Sequence, residues 1–148
     1  MKKFVLVAAF ALIITSGVYG MDMGPVPAKI ADCKKAPSEI TGEVRKFSFI
    51  STGKTEAAFT DIGCALVYRK TLCASESVDF DENAVVHDYN TGEAIAFETS
   101  FYVADSGVET PAGYGIIAFK DKASAEKFTA AGKGGILKFY DLTIMEIK

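Results

Sequence analysis

The chain has one histidine, three cysteines and no long apolar run after residue 20, and each scarcity excludes a class of function. With His87 as the single imidazole, no multi-histidine zinc or type-2 copper site can be built from this chain alone. No Ser-His-Asp or Cys-His pairing is supported by spacing, so the sequence predicts a protein that is not an enzyme. Neither the balance of 16 basic against 19 acidic residues nor their spacing supplies the basic stripe that nucleic-acid binding needs. Nothing after residue 20 is apolar over the length of a membrane helix. Gly107, Gly113 and Gly115 enrich the 105–115 loop, but no Gly-Lys-Ser/Thr follows as in a phosphate loop, which leaves an ordinary connection between strands.

At the start of the chain, Lys2 and Lys3 precede FVLVAAFALII and the small residues that lead to Gly20. That is the pattern of a secretory signal peptide, and its apolar run is too short to span a bilayer. Cleavage is expected after Gly20. Met21, not cysteine, stands at the cut, so no lipid attachment is expected and the chain should be periplasmic or secreted. Loss of residues 1–20 removes two lysines and no acids, taking the net charge from −3 to −5. The remainder suffices for one domain with a real core. In an oxidising compartment three thiols cannot all pair within one chain, so one is left over.

Residues 21–43 hold three of the four prolines and little apolar periodicity, which predicts an extended N-terminal arm. Phe47 and Phe49 alternate in RKFSFIS, and a Ser-Thr-Gly-Lys turn leads to a returning strand over 55–59, a hairpin. Thr60 or Asp61 caps a helix from Ile62 to about Leu72. AVVHDY reads as a strand closed by Asn90-Thr91-Gly92, with His87 on a surface or edge position. Ile95 to Val103 and Ile116 to Phe119 read as strands. Asp121 then caps a helix over 122–131 that Gly132 ends, and the last strand is 136–140. Setting FTDIGCALVYR beside FKDKASAEKFT suggests an α+β fold of two tandem β-β-α-β units, about 44–92 and 93–148, packed as one 44–148 domain.

Helix geometry constrains the cysteines. If 62–73 are helical throughout, Cys64 and Cys73 lie about 13.5 Å apart along the axis on opposite faces, beyond the roughly 7 Å Cα separation a disulfide allows. Cys33 is then the expected partner of either Cys64 or Cys73. Cys64 sits in the first helical turn, where the helix dipole favours its thiolate.

The phrases DIGCALVYR, VVHDYNTGEAIAFETSFYV and TPAGYGIIAFKDKASAEKF, taken in order, resemble the NosL-like family over roughly residues 44–142. The resemblance implies a tandem β-β-α-β fold and an exported accessory protein of copper-enzyme assembly that binds copper(I) through thiolate and thioether sulfur. Where the family usually has Cys-Gly-Met, this chain has Asp32-Cys33-Lys34-Lys35; where the family has Pro-Met-Gly, it has Pro111-Ala112-Gly113. Met21 and Met23 of the Met-Asp-Met stretch offer replacement thioethers, so the candidate copper(I) ligands are Cys33, Met21 and Met23, while Met145 is expected to pack. The expected role is a metallochaperone serving a copper enzyme or exported complex. The competing expectation is a metal-free interaction module, or accessory subunit of an exported redox or surface assembly, stapled by a Cys33 disulfide.

Overall fold

The computed structural model describes residues 28–53, 56–71 and 83–147. The expected signal peptide, Met21, Met23 and Cys73 lie outside them. Helices α1 (Ala28–Cys33), α2 (Ile62–Thr71), α3 (Lys122–Ala131) and α4 (Phe139–Ile144) combine with strands β1 (Lys34–Lys35), β2 (Phe49–Ser51), β3 (Ala57–Phe59), β4 (Ala84–His87), β5 (Ala94–Ala96), β6 (Phe101–Ala104), β7 (Ile117–Phe119) and β8 (Gly135–Lys138). Among the described residues the strands form two antiparallel sheets, ordered β1-β3-β2-β4-β5 and β7-β6-β8. The fold is α+β, as the sequence predicts. The order β3-β2-β4, with α2 between β3 and β4, recurs as β7-β6-β8, with α3 between β7 and β8.

The sheets meet where β4 runs on. Asp88 bridges in parallel to Ala118, and the Tyr89 amide donates to the Ala118 carbonyl at 2.8 Å. Around that seam Tyr89, Phe119 and Phe128 stack edge-on or tilted with centroids 5.6–6.0 Å apart. The main core lies between the first sheet and α1, α2 and α4, with Phe49, Phe59, Phe97, Ile62, Leu66 and Leu142 fully buried. Each such side chain contributes about 1.5–3 kcal/mol by leaving water.

Asp121 caps α3, accepting from the Ser124 amide at 2.8 Å, and the Gly132 amide closes the last turn on Thr129. Four sequence expectations change. The arm is not extended beyond residue 27: Ile30 and Cys33, three positions apart, are buried on one face of a short helix, and Lys34–Lys35 pair with β3. The span 95–103 is two strands, because the Ser100 hydroxyl donates to the Ala96 carbonyl and the Tyr102 hydroxyl to that of Phe97, turning the chain so that β5 joins β4 and β6 enters the second sheet. The last strand stops at Lys138, and Phe139 and Tyr140 begin α4. In the first hairpin Gly42–Phe47 coil into 3₁₀ turns, so β2 starts only at Phe49.

Candidate functional site

Helix α1 is short, and three attachments hold it. Its apolar face enters the core through Ile30 and Cys33. Its continuation pairs with β3, Lys34 opposite Phe59, and the Thr60 amide donates to the Cys33 carbonyl at 3.0 Å. The third attachment is covalent: Cys33 is joined to Cys64 in the first turn of α2, with a Cα separation of 6.4 Å. Of the two partners the sequence leaves open for Cys33, the structure pairs it with Cys64. The Thr60 hydroxyl lies 3.1 Å from the Cys33 sulfur.

Facing this junction is the loop between β6 and β7, and Asp61 holds it there. Asp61 is fully buried. One carboxylate oxygen accepts from the Gly63 amide at 2.8 Å; the other accepts from the Thr110 hydroxyl at 2.6 Å and the Ala112 amide at 2.9 Å. Thr110 in turn accepts from the Gly115 amide at 3.1 Å. Of the two residues expected to cap α2, Thr60 and Asp61, it is Asp61 whose side chain accepts from a first-turn amide, and it is also a clamp between α2 and a distant loop. Gly63 makes the close approach possible, because a Cβ there would lie 2.3 Å from the Tyr114 ring. Lys29 of α1 sits over the other part of that contact, 4.3 Å from the Tyr114 ring centre. Burial, then the nearby Asp61 charge, raise the Tyr114 phenol above its usual pKa.

Between α1 and this loop lies an open cleft of about 290 Å³ lined by Lys29, Asp32, Cys33, Thr60, Pro111 and Ala112. The two sequence positions singled out by resemblance, Cys33 and Pro111-Ala112, thus face one space. Ala112 brings no donor atom to it. Among the described residues no group of three or more His, Cys, Asp or Glu could hold a metal ion. Met145 packs against the main core, as expected. Sequence reasoning missed Lys29, Thr110 and the clamping role of Asp61, since nothing local marks residues that act across such chain distances.

His87 corrects an expectation: it is buried on an interior strand, not at a surface or edge. The Arg45 Nε–H donates to His87 Nε2 at 3.2 Å, which assigns the ring proton to Nδ1; Nδ1–H then donates to the Ser48 hydroxyl at 3.1 Å, and that hydroxyl donates to the Arg45 carbonyl at 2.7 Å. Desolvation, then the Arg45 charge, lower the His87 pKa. A base whose folded pKa is depressed stabilises the fold while neutral. That contribution is present above the ordinary histidine value of about 6.5 and is lost as pH falls through it toward the depressed one. Thermal unfolding midpoints should therefore fall between pH 7.5 and 5.5 in the wild type, and His87→Gln should flatten that slope; equal slopes would contradict the assignment.

No helix among the described residues is long and apolar enough to cross a membrane. Comparison with curated proteins and with solved structures returns no match. The family model described as NosL matches residues 46–147, which include β2 through α4, the Asp61 clamp and the Pro111-Ala112 wall of the cleft. The chain belongs to the NosL family.

Proposed function

We propose that this chain is an exported, non-catalytic copper(I)-handling accessory protein that takes one ion through sulfur at Cys33 and passes it to a copper enzyme or exported complex. Family membership supports the copper-related role. The observation that carries the reading is the cleft itself, because Cys33, which lies ahead of the matched residues and is the position nearest by resemblance to the family's Cys-Gly-Met, lines it together with Pro111-Ala112. Thiolate and thioether sulfur prefer copper(I) to harder ions. With alanine at 112, the thioethers come from Met21 and Met23. Met23 precedes Ala28 by five residues, a reach of up to about 17 Å in extended chain, so the connection permits either thioether to approach the cleft. Transfer to a partner is a ligand exchange at sulfur and needs no change in copper oxidation state.

A second reading, a metal-free interaction module, is favoured by the Cys33–Cys64 bond and by Ala112, which together leave no free thiolate and no loop thioether at the cleft. One titration separates the two. Reduced protein titrated with copper(I) against a chromophoric chelator should withdraw one equivalent per chain. If the chelator is never outcompeted, the metal-free reading replaces the copper one.

A further inference from the structure

We propose that Cys64 is the second thiolate of the copper(I) site, and that thiol–disulfide exchange at the Cys33–Cys64 pair opens and closes that site. The inference rests on the copper reading above and adds a ligand and a control to it.

The two cysteines are placed by different elements, α1 and α2, whose backbones stand with Cα atoms 6.4 Å apart. Two sulfurs on one ion stand up to about 4.6 Å apart, given metal–thiolate bonds of about 2.3 Å. Side-chain rotation at that Cα distance reaches this separation without moving either helix. The bonded form offers the metal no thiolate, and the reduced form offers two in the same place. Their surroundings differ in a useful way. Cys33 borders the cleft with Thr60 beside its sulfur, whereas Cys64 is fully enclosed at the start of α2. Cys33 is itself only 4% exposed, but it is the less enclosed of the two and the one that borders the cleft, so its sulfur is the one an incoming thiolate meets first. Cys64 is the group that leaves, as a thiolate in the first turn of a ten-residue helix.

The steps balance with a dithiol reductant of the thioredoxin type as the partner. One reductant thiolate bonds to Cys33 Sγ as the Cys33–Cys64 bond breaks, and the electron pair of that bond goes to Cys64 Sγ. The second reductant thiolate attacks its neighbour, the mixed disulfide breaks, and Cys33 leaves as a thiolate. Two electrons have passed to the protein and the reductant leaves as a disulfide. Copper(I) then binds both sulfurs, and any protons they had taken up are released to solvent.

The test uses protein expressed from the full-length sequence with Cys73→Ser, which removes the third thiol from competition. Copper(I) is titrated anaerobically against a chromophoric chelator for the oxidised form, the reduced form and reduced Cys64→Ser. Alkylation of each cysteine is mapped with and without copper. The reduced form should take one copper per chain, the oxidised form none at the same concentrations, and Cys64→Ser should bind at least tenfold more weakly. Because both thiols are buried in the folded chain, alkylation is followed in a urea concentration at which both react in the copper-free reduced form; there copper should slow the reaction of Cys33 and Cys64 alike, a readout that needs no variant at either position. Oxidised protein binding as tightly as reduced, undiminished affinity in Cys64→Ser, or protection of Cys33 alone would each overturn this proposal and leave the copper reading standing. Absence of binding by the reduced form would overturn both.

Discussion

Asp61→Ala should lower the unfolding free energy by about 3 kcal/mol, measured by denaturant titration with the disulfide intact. The carboxylate is buried and accepts three hydrogen bonds, from the Gly63 amide, the Thr110 hydroxyl and the Ala112 amide. A methyl group satisfies none of them, and each buried donor left without a partner costs about 1–3 kcal/mol. Part of that loss is offset because the variant no longer desolvates a carboxylate. Asp61→Asn keeps one acceptor oxygen and should fall between the two. Because two of the three donors belong to the loop, the alanine variant should also speed amide exchange at Ala112, while the α3 amides stay protected. A variant as stable as wild type would show that the loop is held by something other than Asp61.

Reduction of the Cys33–Cys64 bond should cost about as much. The cysteines are 31 residues apart in sequence, and closing a loop of that length in the unfolded chain corresponds to about 3.5 kcal/mol in the chain-entropy estimate. Oxidised and reduced protein compared in the same denaturant series should differ by roughly that amount. The Thr60 amide, which donates to the Cys33 carbonyl and reports α1 seated on α2, should exchange faster in the reduced form while keeping part of its protection, since Ile30 and β1 still hold α1 in place. Coincident unfolding curves would mean that α1 is held by Ile30 and β1 alone. A domain of ordinary stability, about 5–15 kcal/mol, remains folded after this loss, so the reduced state is a working state and not an unfolded one.

How much of this is legible in the sequence depends on the range of the forces involved. The capped helix α3 reads directly from DKASAEKF, because Asp121, Ser124 and Gly132 act within one or two turns of one another. The break between β5 and β6 does not, since alternation at Ile95, Phe97, Phe101 and Val103 continues through the turn while the chain changes sheets. A six-residue helix such as α1 has too few turns for periodicity, and the prolines around it argue for extended chain. His87 misleads because β4 lies inside its sheet and is covered on both faces, so position in the alternation no longer separates surface from core. At the site, helix geometry excludes a Cys64–Cys73 bridge within one continuous helix and leaves two partners for Cys33; only the fold brings α1 against α2. Resemblance marks Cys33 and Pro111-Ala112 separately, and the Asp61 clamp that makes them neighbours has no local signature.

Copper(I) is proposed to be held by sulfur at the Cys33 end of the cleft. X-ray absorption at the copper edge of the reduced, singly loaded protein measures this most directly. A copper(I) edge and two or three sulfur neighbours at about 2.3 Å are expected, lost together in Cys33→Ser. A coordination sphere dominated by nitrogen or oxygen at about 2.0 Å, or a spectrum unchanged in Cys33→Ser, would contradict it.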